Sequence, residues 1–128
     1  MLLRANCRGL TDYIAGRYAC AAEIGIGRFP DVALALAKRG VRVFATDIER
    51  REHLGLKVII DDITEPRVSL YRETELLYSM RPAPELVPYM RRLAKEIGVE
   101  LIVKPLASEC LWGRLTRYGD STFYVWRI

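Results

Sequence analysis

Short apolar runs bounded by Gly, Pro or Asp recur along the chain and alternate with segments of helical period. Residues 18–24 (YACAAEI), 41–46 (VRVFAT), 56–60 (LKVII), 74–80 (TELLYSM), 99–104 (VELIVK) and 121–127 (STFYVWR) read as strands. Four of the first five are nearly unbroken apolar runs, the signature of strands covered on both faces. Between them, Pro30 and Asp31 lead into VALALAK and stop at Gly40, which predicts a helix. Residues 83–97 predict another, with Leu86, Met90, Leu93 and Ile97 on one stripe; Pro88 either starts this helix or kinks its first turns. Shorter helices are predicted over 9–17, 48–54 and 66–72.

Strand and helix alternate from residue 18 to residue 104, which predicts right-handed βαβ units and a parallel sheet with helices on both faces. The expected architecture is a three-layer Rossmann-like open α/β sheet of five parallel strands. Residues 106–122 carry no long helical stripe, so the last strand is expected to return antiparallel beside the fifth. A length of 128 residues fits one domain, 1–128.

Composition narrows the chemistry. The net charge is +4, yet residues 47–84 are net acidic and no Lys/Arg run dominates, so nucleic acid is a permitted partner rather than an indicated one. Cys7, Cys20 and Cys110 are odd in number and far apart, and His53 is the only histidine. That set builds neither a disulfide framework nor a zinc site and suits reduced thiols in a cytoplasmic protein. The opening MLLRANCRG lacks the apolar core of a signal peptide, and no run is long enough to cross a bilayer. His53 sits in the charged ERREHLG segment and is expected on a surface helix, away from any strand end; Cys/His and Ser/His/Asp hydrolysis are therefore disfavoured.

The loop Glu23-Ile24-Gly25-Ile26-Gly27 follows the first strand and precedes a helix. Gly25 can make the sharp turn, Gly27 lets a ligand approach the backbone, and the next helix aims N–H groups at the same place. Asp47 lies twenty residues after Gly27, at the end of the second strand, where it either accepts both ribose hydroxyls or caps the following helix. The third strand ends in Asp61-Asp62-Ile63, where an acid can accept from an adenine amino group and Ile63 can lie against the ring. Asp62 is preferred, because Asp61 is closer to the buried strand end. A dinucleotide fingerprint would place a third glycine where Pro30 stands, so a nicotinamide nucleotide is disfavoured.

The pattern Glu-x-Gly-x-Gly resembles motif I of class I S-adenosylmethionine-dependent methyltransferases. The resemblance implies that Glu23, Gly25 and Gly27 line the amino-acid end of the cofactor, Asp47 its ribose, and Asp62 with Ile63 its adenine. It also implies a reduced form of the methyltransferase topology. Across nearly the whole chain, EIGIGRFPDVALALAKRG, ATDI, DDITEP, LYSMRPAPELVPYM and FYVWRI resemble a small archaeal family of uncharacterised Rossmann-like proteins.

The fourth strand ends in Ser79-Met80-Arg81-Pro82-Ala83-Pro84-Glu85, where amino-methylating members of the methyltransferase class often carry Asp/Asn-Pro-Pro-aromatic. The departure disfavours amino-methylation. Arg81 and Glu85 are the candidate catalytic residues, Glu85 either pairing with Arg81 or acting as a general base. Arg28, Arg81 and Lys104 recur at strand ends; they either form one anion-receiving rim or project into solvent. Methyl transfer needs mainly alignment of the acceptor and exclusion of water, so the lack of a nucleophilic dyad does not count against it. In the tail, Trp112, Tyr118, Phe123, Tyr124 and Trp126 are interleaved with Arg114, Arg117 and Arg127. That strand packs on the core, stacks bases, or pairs with another chain as an exposed edge. Three functions follow: an S-adenosylmethionine-dependent methyltransferase with a small-molecule or RNA acceptor, a nonenzymatic subunit or RNA-associated module that has lost the cofactor, and a nicotinamide-nucleotide binder.

Overall fold

The structure is a computed structural model that describes residues 2–106 and 111–128. Cys110 lies outside the described residues, while Cys7 and Cys20 are buried free thiols. The elements run α1 (Arg8–Ala15), β1 (Cys20–Ile24), α2 (Asp31–Lys38), β2 (Arg42–Asp47), β3 (Val58–Ile60), β4 (Leu76–Met80), α3 (Val87–Ile97), β5 (Glu100–Lys104), β6 (Arg114–Tyr118) and β7 (Ser121–Trp126). Short 3₁₀ turns occupy Val68–Tyr71 and Pro84–Leu86.

The strands form one sheet in the order β3-β2-β1-β4-β5-β7-β6. β1 to β5 are parallel, as the alternation requires, and β7 returns antiparallel to β5. β6 was not anticipated. It pairs antiparallel with β7 across a two-residue turn at Gly119 and Asp120, with Gly119 at φ 60°. Its side chains are mostly exposed, so it lacks the apolar alternation that marks a half-buried strand. Strand β7 is thus an interior strand, and the edge that could pair with another chain is β6.

Successive residues of the strands feed two cores. Ala21, Leu76, Tyr78, Ile102, Phe123 and Val125 face α1 and α2 with Leu10, Ile14, Val32 and Leu36. Ala22, Ile24, Leu77, Leu101 and Val103 face α3 with Val87, Met90, Leu93 and Ala94. α2 is preceded by Pro30 and ends before Gly40, whose φ is 89°. α3 has Pro88 in its first turn, where its missing N–H costs nothing, and ends at Gly98 in the left-handed conformation. The two readings of Pro88 therefore resolve in favour of a helix start.

Two expected helices are corrected. Residues 48–54 are bend and turn, with an isolated bridge between His53 and Leu56. The Asp47 carboxylate takes the Glu49 N–H at 2.9 Å, and Gly55 at φ 84° turns the chain. Of 66–72, only a 3₁₀ turn over Val68–Tyr71 forms, because Tyr71 is pulled into the core by its hydroxyl contacts. At the other end of the chain, α1 begins without a side-chain cap of its own. Its first N–H groups are taken by the distant hairpin: Gly9 donates to Asp120 Oδ1 at 2.7 Å and Leu10 to Ser121 Oγ at 2.8 Å.

Candidate functional site

β1 connects to β2 on one side and pairs with β4 on the other, which opens a crevice beyond the carboxyl ends of the strands. A cleft of about 440 Å³ lies there, within the usual range for small-molecule sites. Its wall combines Gly25, Asp47, Asp62 and Ile63 with Met80, Arg81 and Leu86.

The glycine loop is tied to β2 by Gly25 and Ile26, whose N–H groups donate to the Thr46 carbonyl at 2.9 and 3.2 Å. Gly25 and Gly27 have φ of 70° and 58°, which a side chain would resist. A Cβ at either would meet nothing within 4 Å, so the backbone there fronts open space. The Gly27 N–H donates to Asp47 Oδ2 at 2.8 Å, and its carbonyl lies 2.8 Å from His53 Nε2. His53 is therefore half-buried against the loop rather than on a surface helix; the charged segment around it concealed this role.

Asp47 is nearly buried at the end of β2. Besides Gly27 and Glu49, it meets Arg51 Nε at 3.6 Å. Asp61 is committed to the fold: its Oδ2 accepts from the Tyr71 hydroxyl at 2.6 Å, and its Oδ1 from the Arg67 N–H at 3.1 Å. The Tyr71 hydroxyl oxygen in turn accepts from the Thr46 hydroxyl at 3.1 Å, which joins the ends of β2 and β3 beneath the cleft. Asp62 faces outward as anticipated. Thr64 donates to it through both its N–H and its hydroxyl, which holds the carboxyl below its ordinary pKa and ionised at neutral pH. Ile63 stands beside it on the cleft wall, partly buried.

Glu23 is placed differently from Gly25 and Gly27. It lies on the opposite face of β1 from the α3 core, fully buried and paired in register with Tyr78 on β4. Neither carboxylate oxygen meets a partner in hydrogen-bond geometry, nor does the Tyr78 hydroxyl that faces it. Burial lifts its pKa from 4.5 to about 8, so it is largely protonated at pH 7. Nearby, Arg4 closes over the start of α2 through Asp31, its N–H at 2.8 Å and its guanidinium at 2.7 Å.

At the end of β4, Arg81 adopts φ 51°, an uncommon conformation for a residue with a side chain. It is held there by its N–H, which donates to the Lys104 carbonyl at 2.7 Å. Glu85 sits exposed on the Pro84–Leu86 turn, outside the cleft wall, and forms no ion pair with Arg81. Lys104 does not project into solvent: it is buried, and its Nζ donates to the Thr122 carbonyl at 3.0 Å. Arg28 is exposed and stands outside the cleft wall, so the three cations form no single rim. Among the described residues no group of His, Cys, Asp or Glu side chains is arranged to hold a metal ion. Among them also, no helix is long and apolar enough to cross a membrane.

The model of an uncharacterised protein family, UPF0146, matches residues 9–128. The chain belongs to UPF0146. A family relative from Archaeoglobus fulgidus is 40% identical over 120 residues, 92% of each chain. Among solved structures, the B. subtilis tRNA methyltransferase TrmK is similar at a TM-score of 0.60 and 11% identity, over 98% of this chain and 65% of that one. SMU.1697c of Streptococcus mutans, a putative methyltransferase in complex with SAH, is similar at a TM-score of 0.53 and 12% identity, over 97% of both chains. At such identities the likeness to TrmK and SMU.1697c shows the fold alone: this UPF0146 chain has a mixed α/β sheet of methyltransferase type.

Proposed function

We propose that the cleft beyond β1, β2 and β3 binds S-adenosylmethionine and that the protein is a methyltransferase. One observation carries the reading: Gly25, Asp47, Asp62 and Ile63, from three successive strand ends, line one cleft. The residues fit the group. Open space at Gly25, on the cleft wall, admits a ligand against the backbone, while Gly27 stands outside that wall and holds Asp47. Each Asp47 oxygen already accepts one N–H but retains a second lone pair for a ribose hydroxyl. Asp62 presents an ionised acceptor to the adenine amino group, with Ile63 packing on the ring. SMU.1697c, of the same fold and nearly the same length, was crystallised with SAH.

When bound, S-adenosylmethionine supplies an electrophilic methyl group. This chain's part is to orient it and exclude water, with Met80, Pro82 and Leu86 forming the apolar wall and Arg81 positioning an anionic or polar acceptor, a small molecule or an RNA. Pro30, standing where the dinucleotide fingerprint has its third glycine, argues against the nicotinamide reading. The contacts that Gly27, Glu49 and Arg51 make to Asp47 favour, as a second reading, a subunit that keeps the fold without the cofactor.

Isothermal titration with S-adenosylmethionine, S-adenosylhomocysteine, NAD and ATP separates these readings. Both adenosyl compounds should bind, and Asp62→Ala, an outward-facing change that spares the core, should weaken them about tenfold, the loss of one charge-assisted hydrogen bond. Absence of heat with either adenosyl compound refutes the proposal.

A further inference from the structure

The α3 side of the sheet is covered unevenly. α3 packs on β4 and β5, and beyond it Trp126 of β7 borders a groove of about 580 Å³ that follows the helix from Pro88 to Gly98. Among the described residues no second helix covers this strip. The ionisable side chains of the groove are all cationic, Arg91, Arg92, Lys95 and Arg127, and Ile128, the last residue, also lines it. Arg127 is engaged with Glu100 at 3.4 Å and with the Tyr13 hydroxyl at 3.0 Å. Arg91, Arg92 and Lys95 are exposed and meet no carboxylate among the described residues. Arg91 and Lys95 stand one turn apart on the same helix face, where like charges repel, so the helix carries a local cost that an anion would relieve.

The aromatic side of the groove is built as well. The Arg91 guanidinium lies 5.6 Å from the centroid of Trp126, and that ring rests on Gly113, where a Cβ would fall 2.6 Å from it. Trp126 Nε1 is buried without an acceptor. Beside Gly113, Trp112 is 83% exposed. A second copy docked by two-fold symmetry would set the same cations against each other, and an apolar helix would leave them unneutralised. A chain of phosphates with planar bases suits both the cations of the groove and the exposed Trp112 ring, one residue from the Gly113 that touches Trp126.

We propose that the groove between α3 and β7 binds a single-stranded nucleic acid, with its phosphates on Arg91, Arg92 and Lys95 and a base on Trp112. This inference does not depend on cofactor binding in the cleft. It is tested by anisotropy with a fluorescein-labelled oligouridine of twelve nucleotides. Three phosphate contacts give a salt slope of about −2, or roughly 20-fold weaker binding at 200 mM than at 50 mM salt. Arg91→Glu with Lys95→Glu should weaken binding more than about tenfold. Lys38→Glu with Arg42→Glu, the same charge change on α2 and β2, should leave it within about threefold. Arg91→Gln with Lys95→Gln keeps the test open if the two glutamates unfold α3. In Trp112→Phe, Trp126 is the remaining indole of the two, and its emission should change on titration. The proposal is overturned by no binding at 50 mM salt, by equal loss in both charge-reversed pairs, or by polyglutamate binding as tightly as the oligouridine.

Discussion

Replacing Glu23 by glutamine removes an ionisation that the fold accommodates poorly. The side chain is fully buried, faces the Tyr78 hydroxyl, and burial outweighs that contact, so its pKa rises from 4.5 to about 8. Below pH 4.5 the carboxyl is protonated in folded and unfolded chains alike, and pH does not act through it. Between 4.5 and about 8 the unfolded chain releases the proton while the native state keeps it. The native state then binds more protons, so stability falls as pH rises. The slope is about 1.4 kcal/mol per pH unit, which amounts to about 3 kcal/mol at pH 7 and about 5 kcal/mol above pH 8. Glu23→Gln has no proton to release. Its advantage over the wild type should be small at pH 5, about 3 kcal/mol at pH 7 and larger at pH 8.5. Urea unfolding of both proteins at pH 5, 6, 7 and 8.5 measures the difference, and groups that titrate in both cancel. Stability curves that run parallel in pH, or a variant less stable than the wild type at pH 8.5, refute the reasoning.

Two further outcomes follow from close packing and from the network beneath the cleft. Gly9→Ala would place a Cβ 1.8 Å from the Tyr118 carbonyl oxygen, a backbone atom that cannot swing aside, so thermal unfolding should show a loss of at least about 2 kcal/mol. Tyr71→Phe deletes a buried hydroxyl that bonds Asp61 at 2.6 Å and leaves that carboxylate short of a donor; a loss of about 1–3 kcal/mol is expected in urea melts. A Tyr71→Phe melt unchanged from the wild type would show that Arg67 alone satisfies Asp61.

The parallel core was legible because each buried strand is an apolar run with its own stop signal, and because Gly40 and Gly98 end helices by conformation rather than by context. The cleft was legible for a related reason: in such a sheet, successive strand ends converge wherever order reverses, so Gly25, Asp47 and Asp62 meet without knowledge of their side-chain contacts. Side-chain direction was not legible. Glu23 stands between Ala22 and Ile24, which face α3, so strand alternation turns it to the other face, beside Tyr78, while Gly25 at φ 70° has already left the strand. Residues 48–54 carry helix-forming charges, but tertiary contacts of Asp47 and His53 with the glycine loop outweigh that preference. Strand β6 is an exposed edge whose apolar pattern is weak; the signal that could have found it is the Gly119-Asp120 turn ahead of β7.

The bonds from Gly9 and Leu10 to the last hairpin span 111 residues. On the ribosome, at about 5–20 residues per second, the nascent helix emerges roughly 6–20 s before its fastening does. Through that interval Leu10 and Ile14 have no finished surface to lie on, and docking of α1 must await the hairpin. A stop codon ahead of Asp120 would therefore release α1, more than a hundred residues away.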